Sequence, residues 1–227
     1  MGKKLFSVLL IDDHPLITDS YKSAFKYIEK GNDAVSFTIN VANNCDTAYK
    51  KVMDFYSTNR AIDIVFLDIS LPPSKDGTIL SGEDLGLKIN SLLPDTKIII
   101  STTYNDNYRV HSLFKNLDPD GFLVKNDVTP KILVEAIDTV ISDPPYYSKT
   151  IIKLLRKEVT SDFILDTKDR RLLYELSLGT LMKDIPDILC LSLPALEKRK
   201  RRMKQVFDAV SPYDKELLLR AKEKGFL

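Results

Sequence analysis

Several acidic, hydroxyl and basic residues follow short apolar runs, and together they could support phosphoryl transfer. They are Asp68 after Ile64 to Leu67, Asp12 and Asp13 after Phe6 to Ile11, Thr102 beyond Lys97 to Ile100, and Lys125 after Gly121 to Val124. An aspartate accepts a phosphoryl group as an acyl phosphate when the transferring oxygens are neutralised and positioned. Carboxylates can hold Mg²⁺ for this purpose, a lysine can pair with phosphoryl oxygens, and a hydroxyl can move toward a new phosphate. The residue types therefore predict phosphorylation of Asp68, with Asp12 and Asp13 supplying Mg²⁺ ligands.

Each residue also has a simpler interpretation. Asp68 could be a satisfied polar residue at a strand end, and Asp12 or Asp13 could cap the helix after them. Lys125 could be a solvated loop lysine, and Thr102 could merely end a strand. The register of the strand before it is uncertain by one residue, because Ser101 and Thr103 are its neighbours. Phe122 could be plain core, and His14 could be an exposed loop residue. Their joint occurrence at strand ends favours a composed site.

The elements that must bring these residues together are five alternating strand and helix segments. Ile64 to Leu67 is apolar throughout, which predicts a strand buried on both faces of a parallel sheet. In a doubly wound sheet with right-handed crossovers, the carboxyl ends of the strands converge on the rim where ligands bind. Thr129 followed by Pro130 has the pattern of a helix N-cap and first turn. We therefore predict an α/β domain over residues 1–142.

Composition is that of an ordinary globular protein, with 44% hydrophobic and 29% charged residues in a chain of 227. The two cysteines, Cys45 and Cys190, lie far apart, which indicates neither a disulfide framework nor a zinc site and fits a reducing compartment. No signal peptide or membrane span is recognisable, so we expect a cytoplasmic protein without membrane contact. Residues 1–150 carry 16 Lys and Arg against 20 Asp and Glu (−4), and residues 151–227 carry 17 against 12 (+5). The second half is the one suited to a polyanion.

A break at Asp143-Pro144-Pro145 ends the first domain, because two prolines cannot continue the preceding helix. A short linking helix is predicted over Thr150 to Lys157, and no strand candidate remains from Asp166 onward. The four helices predicted there cover residues 167–177, 181–189, 192–209 and 212–224. The predicted organisation is thus a first domain at 1–142, a linker at 143–160 and a small all-helical domain at 161–227.

One helix of the second domain carries a dense run of positive charge. The apolar stripe predicted on this helix is Leu196, Met203, Phe207 and Val210, and the residues that point away from it include Lys198, Arg201, Arg202 and Gln205. A helix that presents cations and an amide outward suits DNA phosphates and base edges. The alternative is a solvated basic face. The candidate DNA-binding residues are Ser192, Lys198, Arg199, Arg201, Arg202 and Gln205.

The motifs LLIDDHP, VFLDISLP, IIISTTY and GFLVKND together resemble the response regulator receiver family, over about residues 5 to 142. The resemblance implies a flavodoxin-like receiver fold with a five-stranded parallel sheet of order 2-1-3-4-5. It also implies the roles of individual residues: Asp68 as phospho-acceptor, Asp12, Asp13 and Asp68 as the Mg²⁺ pocket, Thr102 as switch hydroxyl, Lys125 as phosphate-pairing lysine and Phe122 as aromatic switch. The chain departs from the family in a long polar loop over residues 73–81, with Gly82 as the best match to the usual glycine.

Residues 168–227 resemble the helix-turn-helix output domain of NarL/FixJ (LuxR-type) response regulators. The likeness rests on Gly179 after the first helix, a scaffold helix over Met182 to Leu189, and Ser192 opening the recognition helix. Two residues depart from the pattern. Pro186 should kink or shorten the scaffold helix, and Glu197 stands where the family has a basic residue, so that it would repel phosphate.

The resemblance implies a two-domain response regulator that is phosphorylated by a sensor histidine kinase, forms a homodimer and binds double-stranded DNA to control transcription. It would not be an enzyme beyond catalysing its own phosphorylation and dephosphorylation at Asp68. Two alternatives belong to other classes. One is a receiver whose helical domain contacts protein instead of DNA. The other is a hydrolase or phosphotransferase, which would want a second carboxylate two residues after Asp68, where the chain has Ser70.

Overall fold

The computed structural model of the protein describes residues 3–104, 106–157 and 164–227. The chain forms two compact units, one drawn from residues 1–105 and 113–156 and the other from residues 106–112 and 157–227. The end of the predicted linker, residues 158–160, and the start of the predicted helical domain, residues 161–163, lie outside the described residues. The predicted domain limits therefore stay a prediction.

The first unit is built on a parallel sheet. Its strands are β1 (Lys4–Ile11), β2 (Val35–Ala42), β3 (Ile64–Asp68), β4 (Lys97–Thr102), β5 (Gly121–Val124) and β6 (Tyr146–Tyr147), in the order β2-β1-β3-β4-β5-β6. The predicted α/β fold and the order of its five strands are confirmed. The short sixth strand was not predicted. It forms because the chain pairs with β5 directly after Pro144 and Pro145, where the Tyr146 N–H donates to the Asp120 carbonyl at 2.9 Å.

Helices cover both faces of this sheet. They are α1 (Pro15–Gly31), α2 (Cys45–Ser57), α3 (Gly82–Leu92), α5 (Pro130–Ser142) and α6 (Lys149–Leu155). The helix α4 (Asn107–Leu117) follows β4 in the chain, and its residues are divided between the two units. The predicted cap of α5 is confirmed, since Thr129 Oγ1 accepts the N–H of Ile132 at 3.3 Å and Pro130 opens the first turn. Against one face of the sheet, α1 and α5 pack Tyr21, Phe25 and Ile137 into a buried cluster. Such burial on both faces explains why β3 carries only apolar residues from Ile64 to Leu67, before Asp68.

The loop between β3 and α3 is folded on itself through hydrogen bonds. The Asp76 carboxylate accepts the Ser74 hydroxyl at 2.6 Å and the Thr78 N–H at 3.0 Å, and these bonds hold the pKa of Asp76 at about 2. Gly77 has φ +66, a left-handed conformation that glycine adopts without strain. Ile79 is buried, which anchors the loop to the body of the unit. The long polar segment is therefore a loop with its own hydrogen bonds and a buried anchor residue.

The second unit contains α7 (Thr167–Ser177), α8 (Ile185–Leu189), α9 (Leu193–Val206) and α10 (Asp214–Glu223). Leu172, Leu196, Met203 and Leu217 are fully buried in its core, so the leucine and methionine of the predicted α9 stripe point inward. Val210, the predicted last member of that stripe, is 91% exposed, and that prediction is wrong. The helix ends at Val206 and Asp208 has φ 53, so helical spacing does not extend to residue 210.

Pro186 limits the length of α8, as predicted. It lies in the first turn of the helix, where a missing N–H leaves no intrahelical bond unmade, and α8 starts only at Ile185 instead of residue 181. Cys190, with φ 50, then ends the helix in a left-handed conformation and leads into the turn before α9. Among the described residues, no helix combines the length and apolar character needed to cross a membrane.

Candidate functional site

Asp12, Asp68 and Lys125 form one buried ionic cluster. The Lys125 ammonium lies 2.7 Å from Asp68 Oδ2 and 2.8 Å from Asp12 Oδ2. The two carboxylate side chains are each only 1% exposed. The other oxygen of Asp68, Oδ1, accepts the backbone N–H of Ser70 at 2.9 Å. Residues separated by more than fifty positions in the chain are thus in direct contact.

The parallel sheet explains why these three side chains meet. Asp12 follows β1, Asp68 is the last residue of β3 and Lys125 follows β5. The register sets Ile11 opposite Leu67 and Asp68 opposite Ser101, so the strands end at the same level. Since all of them run in one direction, their carboxyl ends share one rim.

Burial and charge act against each other in this cluster. Burial raises the pKa of the Asp68 carboxyl above its usual range, and the hydrogen bond and charge of Lys125 oppose that shift. Burial also works to lower the pKa of Lys125, but Asp12 and Asp68 outweigh it, so the pKa of the ammonium lies above its ordinary value. With all three groups ionised the cluster has a net charge of −1. This excess of negative charge favours binding of a further cation.

Asp13 and His14 lie at the open side of the cluster. The Asp13 carboxylate, 35% exposed, has its Oδ1 2.7 Å from His14 Nδ1. The His14 side chain is 65% exposed, in keeping with the predicted loop position. The N-cap residue of α1 is His14, with no side-chain cap hydrogen bond, so neither aspartate has the simple capping role that the sequence left open.

The donor set suits a hard divalent cation. Oxygen atoms of Asp12, Asp13 and Asp68 and a ring nitrogen of His14 all lie within 4.8 Å of one another. Asp12 Oδ2 is buried, and the Lys125 ammonium lies 2.8 Å from it. Carboxylate oxygens with a solvent-open side match the preference of Mg²⁺ for a few carboxylates and retained water. The residues present therefore fit the ion that the resemblance implies.

The hydroxyl groups at the end of β4 divide between two environments. Thr102 is fully buried, and its Oγ1 accepts the backbone N–H of Tyr104 at 3.0 Å. Ser101 is also buried and accepts the Tyr21 hydroxyl at 2.7 Å, while Thr103 is exposed. Burial raises the pKa of Tyr21, and the charges of Asp12 and Asp68 act in the same direction. No sequence pattern links Tyr21 with Ser101, which lies eighty positions further along the chain.

Phe122 is fully buried in β5, and its backbone carbonyl accepts the Ser148 N–H at 3.0 Å. The structure thus places the predicted aromatic switch in the core, three residues before Lys125.

Gly82 lies against the backbone of Asp68, a close approach that the residue types at the strand ends did not predict. A β-carbon added to Gly82 would lie 1.9 Å from the Asp68 carbonyl oxygen. The resemblance to the receiver family had pointed to this position, because Gly82 is the best match to the family's usual glycine.

The outward face of α9 carries most of the predicted DNA-binding residues. Ser192 precedes the helix and is exposed, and the exposed residues along the helix include Lys198, Arg201, Arg202 and Gln205. Glu197 is exposed on the same helix. Cations clustered on one helical face suit contact with the phosphates of a duplex.

Arg199 differs from its neighbours. Its guanidinium Nη1 lies 2.9 Å from Asp166 Oδ2 and 2.7 Å from Asp169 Oδ1, so it points toward α7 and not outward. Lys200 pairs with Asp214 at 3.1 Å, and Lys204 donates to the Pro212 carbonyl at 2.8 Å. Helical spacing alone could not separate cations that serve the fold from those that face solvent.

Comparison with known proteins finds a family for the first unit and relatives that match most of the chain. The family profile of the response regulator receiver domain matches residues 8–138. The oxygen regulatory protein NreC of Staphylococcus haemolyticus (strain JCSC1435) is 24% identical over 216 residues, which covers 90% of this chain and 92% of the relative. NreC of Staphylococcus carnosus (strain TM300) is 25% identical over 210 residues, or 87% of this chain and 89% of the relative.

Among solved structures, RcsB from Salmonella enterica serovar Typhimurium, bound to promoter rprA in the presence of the phosphomimetic BeF3−, is similar with a TM-score of 0.66. It is 20% identical, and the match covers 96% of this chain and 99% of that one. The fold likeness thus extends through both units. Because the receiver profile spans more than half of the sequence, this chain belongs to the response regulator receiver family, and its architecture is that of a NarL/FixJ-type response regulator.

Proposed function

We propose that the protein is a phosphorylation-dependent transcriptional response regulator, whose receiver accepts a phosphoryl group and whose helix-turn-helix binds double-stranded DNA. The observation that carries this proposal is the buried cluster of Asp12, Asp68 and Lys125 in a chain of the receiver family. The relatives support it, since NreC is named an oxygen regulatory protein and RcsB has been solved as dimers bound to DNA. We further propose that the protein acts in the cytoplasm.

Asp68 is the proposed phosphoryl acceptor. One of its carboxylate oxygens forms the new O–P bond while the N–P bond to a phosphohistidine of a sensor kinase breaks, and the imidazole nitrogen keeps the bonding electron pair. Lys125 is close enough to Asp68 to pair with the transferred oxygens, and the Ser70 N–H orients the carboxylate. A hydrolase or phosphotransferase acting on small substrates would want a second carboxylate where the chain has Ser70, so the chemistry we propose is phosphorylation and dephosphorylation of the protein itself.

Asp12, Asp13 and Asp68 are the residues proposed to hold Mg²⁺. When bound, the ion would neutralise the phosphoryl oxygens that approach Asp68. Asp12 is buried in the cluster, and the more exposed Asp13 leaves the pocket open to solvent. Thr102 and Phe122 are the proposed switch residues. For the Thr102 hydroxyl to turn toward a phosphate, its bond to the Tyr104 N–H must break, which would alter the start of the segment before α4.

A test of the cluster is the replacement Lys125→Ala. Without the ammonium, two buried carboxylates face each other unpaired, and loss of one partner of a buried ion pair costs about 3–5 kcal/mol. We expect a lower melting temperature in EDTA and a larger rise on adding Mg²⁺ than in the wild type, because the ion replaces the missing charge. Differential scanning fluorimetry measures both, with exposed Lys131→Ala as the matched control. Equal Mg²⁺ responses in the two variants would contradict the assignment.

DNA binding is assigned to the exposed residues of α9, with Lys198, Arg201 and Arg202 on phosphates, and Ser192 and Gln205 available for hydrogen bonds. Phosphorylation is proposed to favour a homodimer, because helix-turn-helix proteins read paired half-sites with two-fold symmetry. The alternative in which the helical domain contacts only protein has no observation in its favour beyond Pro186 and Glu197.

The proposed function is tested by selecting duplexes from a random pool with the full chain, with and without beryllofluoride and Mg²⁺. We expect enrichment of a two-fold symmetric site, with tighter binding in the presence of beryllofluoride and steep weakening as salt rises. Binding to no duplex under either condition would refute the DNA-binding part of the proposal. Binding that ignores beryllofluoride would refute its regulation through Asp68.

A further inference from the structure

The basic run on α9 contains one arginine whose two ion-pair partners both belong to the start of another helix. Arg199 lies on the side of α9 between the buried residues Leu196 and Met203, one turn before and one turn after it. Its side chain is 29% exposed, and its Nη1 contacts both Asp166 Oδ2 and Asp169 Oδ1. Arg199 therefore stands on the core side of the helix, although it interrupts a sequence of outward cations.

The two aspartates are already joined to each other as the N-terminal cap of α7. Asp166 Oδ1 accepts the Asp169 N–H at 2.8 Å, and Asp169 Oδ2 accepts the Asp166 N–H at 3.2 Å. Each carboxylate thus uses one oxygen for the cap and the other for Arg199. All four oxygens have a partner, and the guanidinium closes the arrangement between α7 and α9.

The two N–H groups of Arg199 Nη1 are held by these aspartates, so Nη1 could reach a DNA phosphate only by leaving them. Asp169 is 1% exposed, so its carboxylate would lose a charged partner without gaining solvent. The geometry favours a fixed ion pair over a mobile surface cation. The pKa of Arg199 points the same way: burial would lower it, but the carboxylates of Asp169 and Asp166 raise it above its ordinary value.

From this geometry we infer that Arg199 is a positioning residue for DNA binding. By clamping α9 to the capped first turn of α7, it sets the rotation of α9 about its own axis, so that Lys198 and Arg201 face outward. The inference rests on the proposed DNA-binding function and refines it, because it removes one arginine from the set that touches DNA.

The experiment compares Arg199→Ala with Arg201→Ala in the full chain, on a duplex selected as above. Affinity is measured by fluorescence anisotropy over a series of salt concentrations, with beryllofluoride and Mg²⁺ present. A lost phosphate contact lowers the slope of log affinity against log salt by about 0.9, which is expected for Arg201→Ala. For Arg199→Ala we expect weaker binding, by roughly 2-fold to 30-fold, with the wild-type slope. A slope reduced as in Arg201→Ala, or unchanged affinity, would overturn the inference.

The partner variant Asp169→Asn separates the two roles by the sign of its effect. If Arg199 contacted DNA, release from Asp169 and loss of a negative charge would tighten binding. Positioning predicts weaker binding with an unchanged salt slope. Should circular dichroism show that Asp169→Asn does not fold, Asp166→Asn serves instead, because Asp166 is half exposed and asparagine is an equally good N-cap. Tighter or equal binding by the folded variant would overturn the inference, whereas wild type that fails to bind any duplex would refute DNA binding itself.

Discussion

The Asp68→Asn protein is expected to gain no phosphoryl group from acetyl phosphate or from a phosphorylated sensor kinase. An amide has the size of the carboxylate but lacks its nucleophilic oxygen and its charge, so neither the O–P bond nor a full set of Mg²⁺ ligands can form. Labelling should fall to background in a phosphate-affinity gel, and intact mass spectrometry should show the unmodified chain. Asp68 and Asp12 both pair with Lys125, so the substitution also removes one of the two negative charges that face that ammonium.

The matched control for this substitution is Asp63→Asn. Asp63 immediately precedes β3, at the strand end opposite Asp68, and its Oδ2 accepts the Ser7 N–H at 2.6 Å, a bond that an asparagine oxygen can retain. We expect it to be phosphorylated like the wild type. If Asp68→Asn were labelled as strongly as Asp63→Asn, the acceptor would be another residue and the proposed regulation through Asp68 would be wrong.

The second large effect is expected from Gly82→Ala. The added β-carbon would lie 1.9 Å from the carbonyl oxygen of Asp68, 2.8 Å from its carbonyl carbon and 2.9 Å from the Cα of Ile69. All three atoms belong to the backbone of the acceptor segment, so no side-chain rotation can relieve the overlap. Either α3 or the Asp68 backbone must move. We expect a loss of about 3 kcal/mol or more in the free energy of unfolding, at the upper end for overpacking, together with slower phosphorylation.

Gly31→Ala provides the control for this prediction, since a β-carbon added there meets no atom within 4 Å. Gly31 ends α1, and replacing a helical glycine by alanine changes stability by at most about 1 kcal/mol. Urea unfolding of the two variants and the wild type, followed by circular dichroism, measures the difference. Equal midpoints for Gly82→Ala and Gly31→Ala would show that the close approach at Asp68 is not a constraint.

The sequence by itself determined the α/β fold and the rim on which Asp12, Asp68 and Lys125 meet. Parallel strands buried on both faces are apolar until they end, so the first charged residue after each run marks the same edge of the sheet. The sequence also predicted features of helix ends that depend on the type of a single residue. Thr129 and Pro130 open α5 because of their own side chains, and Pro186 shortens α8 because it lacks an N–H.

Tertiary structure alone decided which polar side chains pair across the fold. Helical periodicity sets Arg199 near the cations beside it, but only the position of α7 supplies Asp166 and Asp169 as its partners. Likewise, the Tyr21 hydroxyl meets Ser101 through the packing of α1 on the sheet, eighty positions along the chain. Periodicity reports the direction of a side chain relative to its own element. The partner of that side chain depends on how separate elements pack, and no local sequence pattern encodes the distance between side chains on different elements.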